Sequence, residues 1–271
     1  MPELPEVETT RRGIACHITK HPIKSVIVRQ RQLRWPIPTS LNKKLVGQKI
    51  DSVERRGKYL LLHIQTGTLI IHLGMSGSLR IVSTMIPAQK HDHVDIVFDD
   101  DSLLRLRDPR RFGAMLWTSR DALQHKLLKD LGVEPLAKEF SGDYLYRKSR
   151  NRKLAIKQFI MDSHIVVGVG NIYASEALYL AGIRPTMAAK RISQPRMDKL
   201  VAAIKQVLRN AIKSGGTTLR DFTSSDGSPG YFRQKLNVYG RVDQPCPACK
   251  APIKLIRQGQ RASYYCPHCQ R

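Results

Sequence analysis

The chain has 271 residues, 41% of them hydrophobic, which is enough for two domains each with its own core. Lys and Arg number 46 against 22 Asp and Glu, and a formal charge of +24 repels itself unless a polyanion is the working partner, with nucleic acid the first candidate. No run approaches about 18 apolar residues, the acidic start lacks the basic and apolar regions of a signal peptide, and no basic amphipathic helix carries bulky aromatics on its other face, so the expectation is a soluble intracellular protein without a membrane partner.

The first residues read Met1-Pro2-Glu3-Leu4-Pro5-Glu6-Val7-Glu8. Pro5 suits a first helical position, and Glu6 and Glu8 suit the positive end of a helix. A second reading coexists with that one. With Met1 removed, Pro2 carries a secondary α-amine, and α-amines titrate at roughly 7.7–8.0, well below lysine at about 10.4. Such an amine is a nucleophile for Schiff-base chemistry near neutrality, and Glu3 beside it can move protons at the attacked carbon.

Residues 24–118 read as strands. Short aliphatic or β-branched runs at 26–28, 59–64, 68–73 and 94–98 are bounded by turn residues such as Gly67, Gly74, Gly77 and Asp99-Asp100. Strands at this spacing predict a sandwich or barrel. Within them Leu73-Gly74-Met75-Ser76-Gly77 and Asp108-Pro109-Arg110-Arg111-Phe112-Gly113 place a Met and a Phe beside glycine turns. Such residues are ordinarily core; next to arginines in a basic chain they also suit wedges inserted into a base stack.

The character changes near Leu123, where Leu123, Leu127 and Leu131 share one helical face and Gly132 supplies a stop, with a boundary at 134–135. Residues 147–157 carry six basic residues and no acid, a pattern that fits a solvated helix face or a phosphate-binding one. Gly168-Val169-Gly170-Asn171 allows a tight path into a helix with Asn171 as its N-cap, and exposed amides at such a start bind phosphate. A second helix is predicted over 195–214, closed by Gly215. Four of the five cysteines fall at the end: Cys246 and Cys249, then, after sixteen residues, Cys266 and Cys269. Two such knuckles place four thiolates around one tetrahedral, structural zinc with no open position, although His268 stands between ligands. Lys254, Arg257 and Arg261 decorate the intervening hairpin and suit a phosphate backbone. Cys16 reads as an ordinary semi-buried thiol.

In order along the chain stand PELPEVE, RRGKYLLL, HLGMSG, KHDHV, DPRRFG, VVGVGNIYASE, SDGSPGYF and the four-cysteine hairpin. On these segments, which run from Pro2 to Cys269, the chain resembles the bacterial formamidopyrimidine-DNA glycosylases. The resemblance implies an α+β, multidomain fold: a β-sandwich with flanking helices (2–134), a helical helix–two-turns–helix domain (135–236) and a C-terminal zinc-finger β-hairpin (237–271), with DNA in the cleft between. It implies a bifunctional glycosylase and abasic-site lyase that excises oxidised purines and then eliminates at both phosphates. Pro2 would be the nucleophile at the sugar C1′, Glu3 the proton carrier, Lys58 a further acid and phosphate ligand, and Arg261 a phosphate ligand that aids elimination. His91, Arg110, Arg152 and Asn171 would contact DNA, Arg150 and Lys153 being close enough to exchange roles with Arg152. Met75, Arg110 and Phe112 would fill the gap left by the flipped base, and residues 217–231 would close over it. One structural zinc, no organic cofactor, duplex DNA with oxidised purine lesions as partner, a monomeric state and a cytoplasmic, nucleoid-associated location complete the expectations. Two alternatives stand beside this one. The first is an endonuclease VIII-like enzyme for oxidised pyrimidines, whose start typically reads PEGPE. The second is a zinc-containing DNA-binding protein without catalysis.

Overall fold

A computed structural model describes residues 2–215 and 236–271. Among these, 2–129 form one compact unit, and 130–214 with 236–271 form a second. The segment expected to close over a flipped base, 217–231, lies outside the described residues.

The first unit opens with helix α1 (Leu4–Ile18), followed by β1 (Ile23–Val28), the short α2 (Leu41–Leu45), β2 (Ile50–Arg56), β3 (Tyr59–Ile64), β4 (Gly67–His72), β5 (Ser78–Ser83), β6 (Asp92–Phe98), β7 (Ser102–Arg107) and β8 (Ala114–Thr118). Two four-stranded antiparallel sheets result, ordered β1-β6-β7-β5 and β2-β3-β4-β8. One core joins them: Val26, Val94, Ile96, Phe98, Leu104 and Leu106 from the first sheet meet Val53, Leu60, Leu62, Leu69 and Ile71 from the second. Helix α1 adds Val7, Ile14 and Ile18 to that core. The expected sandwich is therefore present, and burying these side chains supplies most of its stability.

Helix α1 is held at both faces. Pro5 lies in its first turn, and the Glu6 carboxylate accepts the Glu3 N–H at 2.9 Å, as in a capping box. On the next turn Glu8 gathers Arg11, Arg12 and, from β2, Arg55 at 2.8–3.1 Å. Burial raises the Glu8 pKa, but hydrogen bonds from Arg11 and Arg12 and the Arg55 charge outweigh it and hold the group at about 2. The carboxylate thus ties α1 to β2, the strand that leads into Lys58. Strands β2 and β3 connect through Gly57-Lys58, with Arg56 opposite Tyr59. Gly57 has φ +58°, the left-handed conformation that a two-residue turn beginning with glycine requires.

The second unit contains α3 (Gly142–Ser149), α4 (Ile156–Ile160), α5 (Asn171–Leu180) and α6 (Gln194–Lys213), then the hairpin β9 (Lys254–Gln258) and β10 (Arg261–Tyr265). Met197, Leu200, Val201, Ile204, Val207, Leu208 and Ala211 line the buried face of α6, as the spacing predicts, and pack with Phe140, Phe159, Ile172 and Tyr173. A separate small core of Val238, Cys246, Ala251, Ile253 and Cys266 sits under the hairpin.

The helix expected over 123–131 does not form. Asp121 accepts the Leu123 N–H and starts a single 3-10 turn at Ala122–Gln124, and the His125 ring then accepts the Leu127 N–H. The chain instead pairs with the segment ahead of α5: Gly132 donates to Ser163 O, and Val133 bridges Val166 in parallel. Leu123 is consequently 48% exposed while Leu128 is buried. Side-chain capping and a non-local backbone partner override the leucine spacing.

Candidate active site and nucleic-acid interface

In the first unit Pro2 is buried directly ahead of α1, and Glu3 is only 3% exposed. The carbonyl of Glu3 accepts the Val7 N–H, so the backbone at the proposed nucleophile is fixed by the first helical turn. Lys58 follows from the β2–β3 turn, next to His72 at the end of β4. The His72 ring stacks at a tilt on Tyr59, with centroids 4.8 Å apart, and its Nδ1 accepts the Gly74 N–H at 3.0 Å. Burial, with the Lys58 ammonium and Arg34 adding to it, holds the His72 pKa down at about 4. The ring is therefore neutral at physiological pH and presents Nε2 as a donor beside a cation. Sequence reasoning passed over His72, whose only signal was its place ahead of Gly74.

Two loops meet at Asp108, which is fully buried. Its carboxylate accepts from Ser76 Oγ at 2.8 Å and from the Gly113 N–H at 2.7 Å, and Ser76 Oγ in turn accepts the Arg110 N–H. Gly74, at φ +64°, lies so close to the Phe112–Gly113 backbone that a Cβ there would overlap it. The loops are thus locked face to face, and His91 joins them by accepting the Asp108 N–H on its carbonyl. Met75 is 39% and Phe112 50% exposed, and Arg110 is exposed beside them. The Met and the Phe thus lie on rigid loops outside the core, flanked by arginine, and the ordinary core placement does not hold for them.

In the second unit Asn171 is the first residue of α5 and Gly170 its N-cap, in an extended conformation. The capping role expected of Asn171 is corrected accordingly. Its Oδ1 is taken by Lys157, at 2.6 Å, so the side chain is not available to close the helix start. Lys157 is 1% exposed, and its Nζ also donates to Ala262 O at 2.8 Å and Ser263 Oγ at 2.9 Å. Three N–H donors meet three acceptors. With Oδ1 occupied, the Asn171 amide directs Nδ2 toward Tyr239 OH, to which it donates at 3.5 Å. Glu176, buried on α5, accepts the backbone N–H groups of Asn237, Val238 and Tyr239 and fixes that tyrosine in place. Neither Lys157 nor Tyr239 stood out in the sequence, since one was a member of a basic run and the other a lone tyrosine.

Arg261 is exposed and opens β10, next to the Ala262 carbonyl that Lys157 holds. A pocket of about 190 Å³ opens there, with Lys157, Gln158, Asp162, Gln258, Arg261 and Ser263 in its wall. The basic segment divides. Arg150 stacks on Tyr146 at 3.9 Å and donates to Tyr146 O, Ser149 Oγ and Ile192 O, a commitment to the end of α3. Arg152 and Lys153 are exposed, as the phosphate-binding reading requires.

The four cysteine sulfurs lie within 4.8 Å of one another, with Cys246 and Cys269 at 3.8 Å and Cys249 and Cys266 at 3.4 Å. A tetrahedron with zinc–sulfur bonds of about 2.3 Å has edges of about 3.8 Å, so the set fits one zinc with four thiolates. His268 is exposed and outside the cluster. Burial pushes the Cys246 thiol up, yet hydrogen bonds from the Cys249 backbone and the Tyr179 hydroxyl outweigh it and hold the group down at about 6. Zinc would close the base of the hairpin that presents Arg261.

Comparison with known proteins places these features in a common setting. Residues 1–115 match the formamidopyrimidine-DNA glycosylase N-terminal domain, 131–223 the H2TH domain of the same enzymes, and 243–271 the zinc finger found in FPG and IleRS. Formamidopyrimidine-DNA glycosylases of Thioalkalivibrio sulfidiphilus and Nitrosococcus oceani are 59% and 57% identical to this chain, with both chains covered in full. Among solved structures, a complex between the Lactococcus lactis Fpg and DNA containing an abasic site superposes with a TM-score of 0.91 at 35% identity, 99% of each chain being covered. The MutM (FPG) protein of Thermus thermophilus gives 0.88 at 34% identity, over 99% of this chain and 98% of that one. No helix among the described residues is long and apolar enough to cross a membrane.

Proposed function

Because the chain belongs to the formamidopyrimidine-DNA glycosylase family, we propose that it excises oxidised purines from duplex DNA with Pro2 as nucleophile and then cleaves the strand as a lyase. The observation that carries the reading is the pairing, in one unit, of a rigidly held Pro2-Glu3 start with exposed Met75, Arg110 and Phe112 on loops locked by Asp108.

A base inside a duplex is shielded at C1′ and must first be extruded, at a cost of a few kcal/mol. Met75, Arg110 and Phe112 offset that cost by filling the vacated stack. Lys58, His91, Arg152, Asn171 and Arg261 hold the backbone through its phosphates, Asn171 with the Nδ2 left after Lys157 takes its Oδ1. The Pro2 nitrogen then attacks C1′; the N–C bond forms as the glycosidic bond breaks, and the purine leaves with that electron pair and a proton. Glu3 protonates the ring oxygen as the sugar opens, and the nitrogen lone pair completes an iminium. That cation acidifies C2′. Loss of a C2′ proton expels the 3′ phosphate, and a second elimination expels the 5′ phosphate. The zinc-finger segment 237–271 and the segment 135–236 serve as DNA-holding parts, and 2–134 as the catalytic one. A location on the nucleoid in the cytoplasm follows from the substrate.

Borohydride trapping on duplexes with different lesions tests the whole reading. Adducts should accumulate on 8-oxoguanine and formamidopyrimidine substrates ahead of oxidised pyrimidines. The reverse ranking would favour the endonuclease VIII-like alternative, and intact binding with no adduct on any lesion would favour a non-catalytic binder. The wedge has its own test. Phe112→Ala should slow excision of paired lesions several-fold more than of lesions already unpaired, which cost less to flip. Equal slowing of both in single-turnover assays would count against a wedge.

A further inference from the structure

Helix α5, which starts at Asn171, reaches the cysteine cluster near its other end. Tyr179 stands eight residues after Asn171, about 12 Å along the axis at 1.5 Å per residue. Its hydroxyl oxygen lies 3.3 Å from Cys246 Sγ, and its ring packs on the small core that includes Cys246 and Cys266. Four thiolates around one divalent zinc leave two negative charges in excess, and burying such charge is costly unless donors compensate it. Cys246 and Cys266 are both fully buried. Cys266 receives a donor from within its own knuckle, the Cys269 N–H at 3.4 Å. At Cys246 the side-chain donor comes from a helix outside the metal-binding segment. A metal-bound Cys246 carries no proton, so the hydroxyl must donate and the sulfur accept.

We propose that Tyr179 is a positioning residue of the zinc site: its hydroxyl donates to the Cys246 thiolate, shields that sulfur from electrophiles and ties metal occupancy to the helix that presents Asn171. The inference rests on zinc filling the four-cysteine site. The chemistry is specific to one sulfur. An alkylating agent such as iodoacetamide reacts when a sulfur lone pair forms the S–C bond and iodide departs with the C–I pair; the resulting thioether no longer binds zinc as an anion, and the ion is released. A hydrogen bond to the thiolate ties up that lone pair. Partners that hold a metal ligand are worth about 10- to 100-fold in metal affinity.

Tyr179→Phe deletes the hydroxyl and keeps the packed ring. In the zinc-loaded full-length variant, iodoacetamide should release zinc several-fold faster than in the unaltered protein, read with a metallochromic dye, and peptide mapping should place the added early modification on Cys246. Competition with a chelator should show zinc affinity lowered about tenfold. Site-specific 3-fluorotyrosine at position 179, a stronger donor of nearly the same size, should slow modification of Cys246. Unchanged release, or equal acceleration at all four cysteines, would overturn the proposal, the second result showing only a loosened fold. Zinc content of the unaltered protein is measured alongside; absence of zinc there would strike the metal assignment itself, separately from the role of Tyr179.

Discussion

A protein carrying one additional residue ahead of Pro2 should bind lesion-containing DNA, yet yield no borohydride adduct and cut no strand. An amide nitrogen has no lone pair to give to C1′, whereas the free secondary amine of an N-terminal proline does. Pro2 is held by the first turn of α1, where the Glu6 carboxylate takes the Glu3 N–H and Glu3 O takes the Val7 N–H. Intact mass of the active protein should show Met1 removed, and peptide mapping should place the adduct on Pro2. Activity should fall toward acid pH as the amine protonates. Glu3→Gln preserves shape and helix start but cannot exchange the proton, so excision should fall by about 10²–10⁴-fold, the usual worth of a placed acid or base, with binding retained. An adduct mapping to Lys58 would remove Pro2 from the mechanism and require a lysine nucleophile instead.

Lys157→Met should strongly destabilise the second unit. The side chains are similar in length, but methionine offers no donor to Asn171 Oδ1, Ala262 O or Ser263 Oγ. Hydrogen bonds from a charged group contribute about 1.5–3 kcal/mol each, and unpaired buried acceptors add their own desolvation cost. A loss of roughly 3 kcal/mol or more in unfolding free energy follows from those figures, measurable by denaturant titration. At temperatures where the variant stays folded, affinity for damaged and undamaged duplexes should fall together. The Asn171 amide would then be free to flip, and the backbone beside Arg261 would lose its anchor. A variant with normal stability and normal DNA affinity would show that the lysine neither supports the fold nor orients the amide.

The same lysine marks the limit of what the chain's local pattern conveys. In the basic run 147–157 it looks like its neighbours, yet it is the fully buried member, and its partners at 262 and 263 lie more than a hundred residues away. Arg150, two residues from Arg152 and three from Lys153, turns inward onto Tyr146 for reasons equally invisible in the run. The missing helix at 123–131 has a similar origin, because backbone bonds to the segment 163–167 decide what the leucine spacing leaves open.

By itself the sequence determined the features that depend on neighbours close in the chain. The two Cys-x-x-Cys knuckles define a zinc set through short-range geometry. The 3.6-residue period of α6 and the short aliphatic runs of the sandwich record which faces must leave water. The Pro-Glu start specifies a helix entrance and is the basis on which Pro2 is proposed as nucleophile. Tertiary structure alone decided which polar groups meet. Asp108 locks two loops 32 residues apart and so turns Met75 and Phe112 outward from the core. Lys58 and burial keep His72 neutral, Lys157 orients Asn171, and Tyr179 reaches Cys246 across 67 residues. Hydrophobic periodicity is written locally because each element buries one face, whereas a hydrogen bond between buried polar groups requires two particular atoms within about 3 Å, and only the folded chain brings those together.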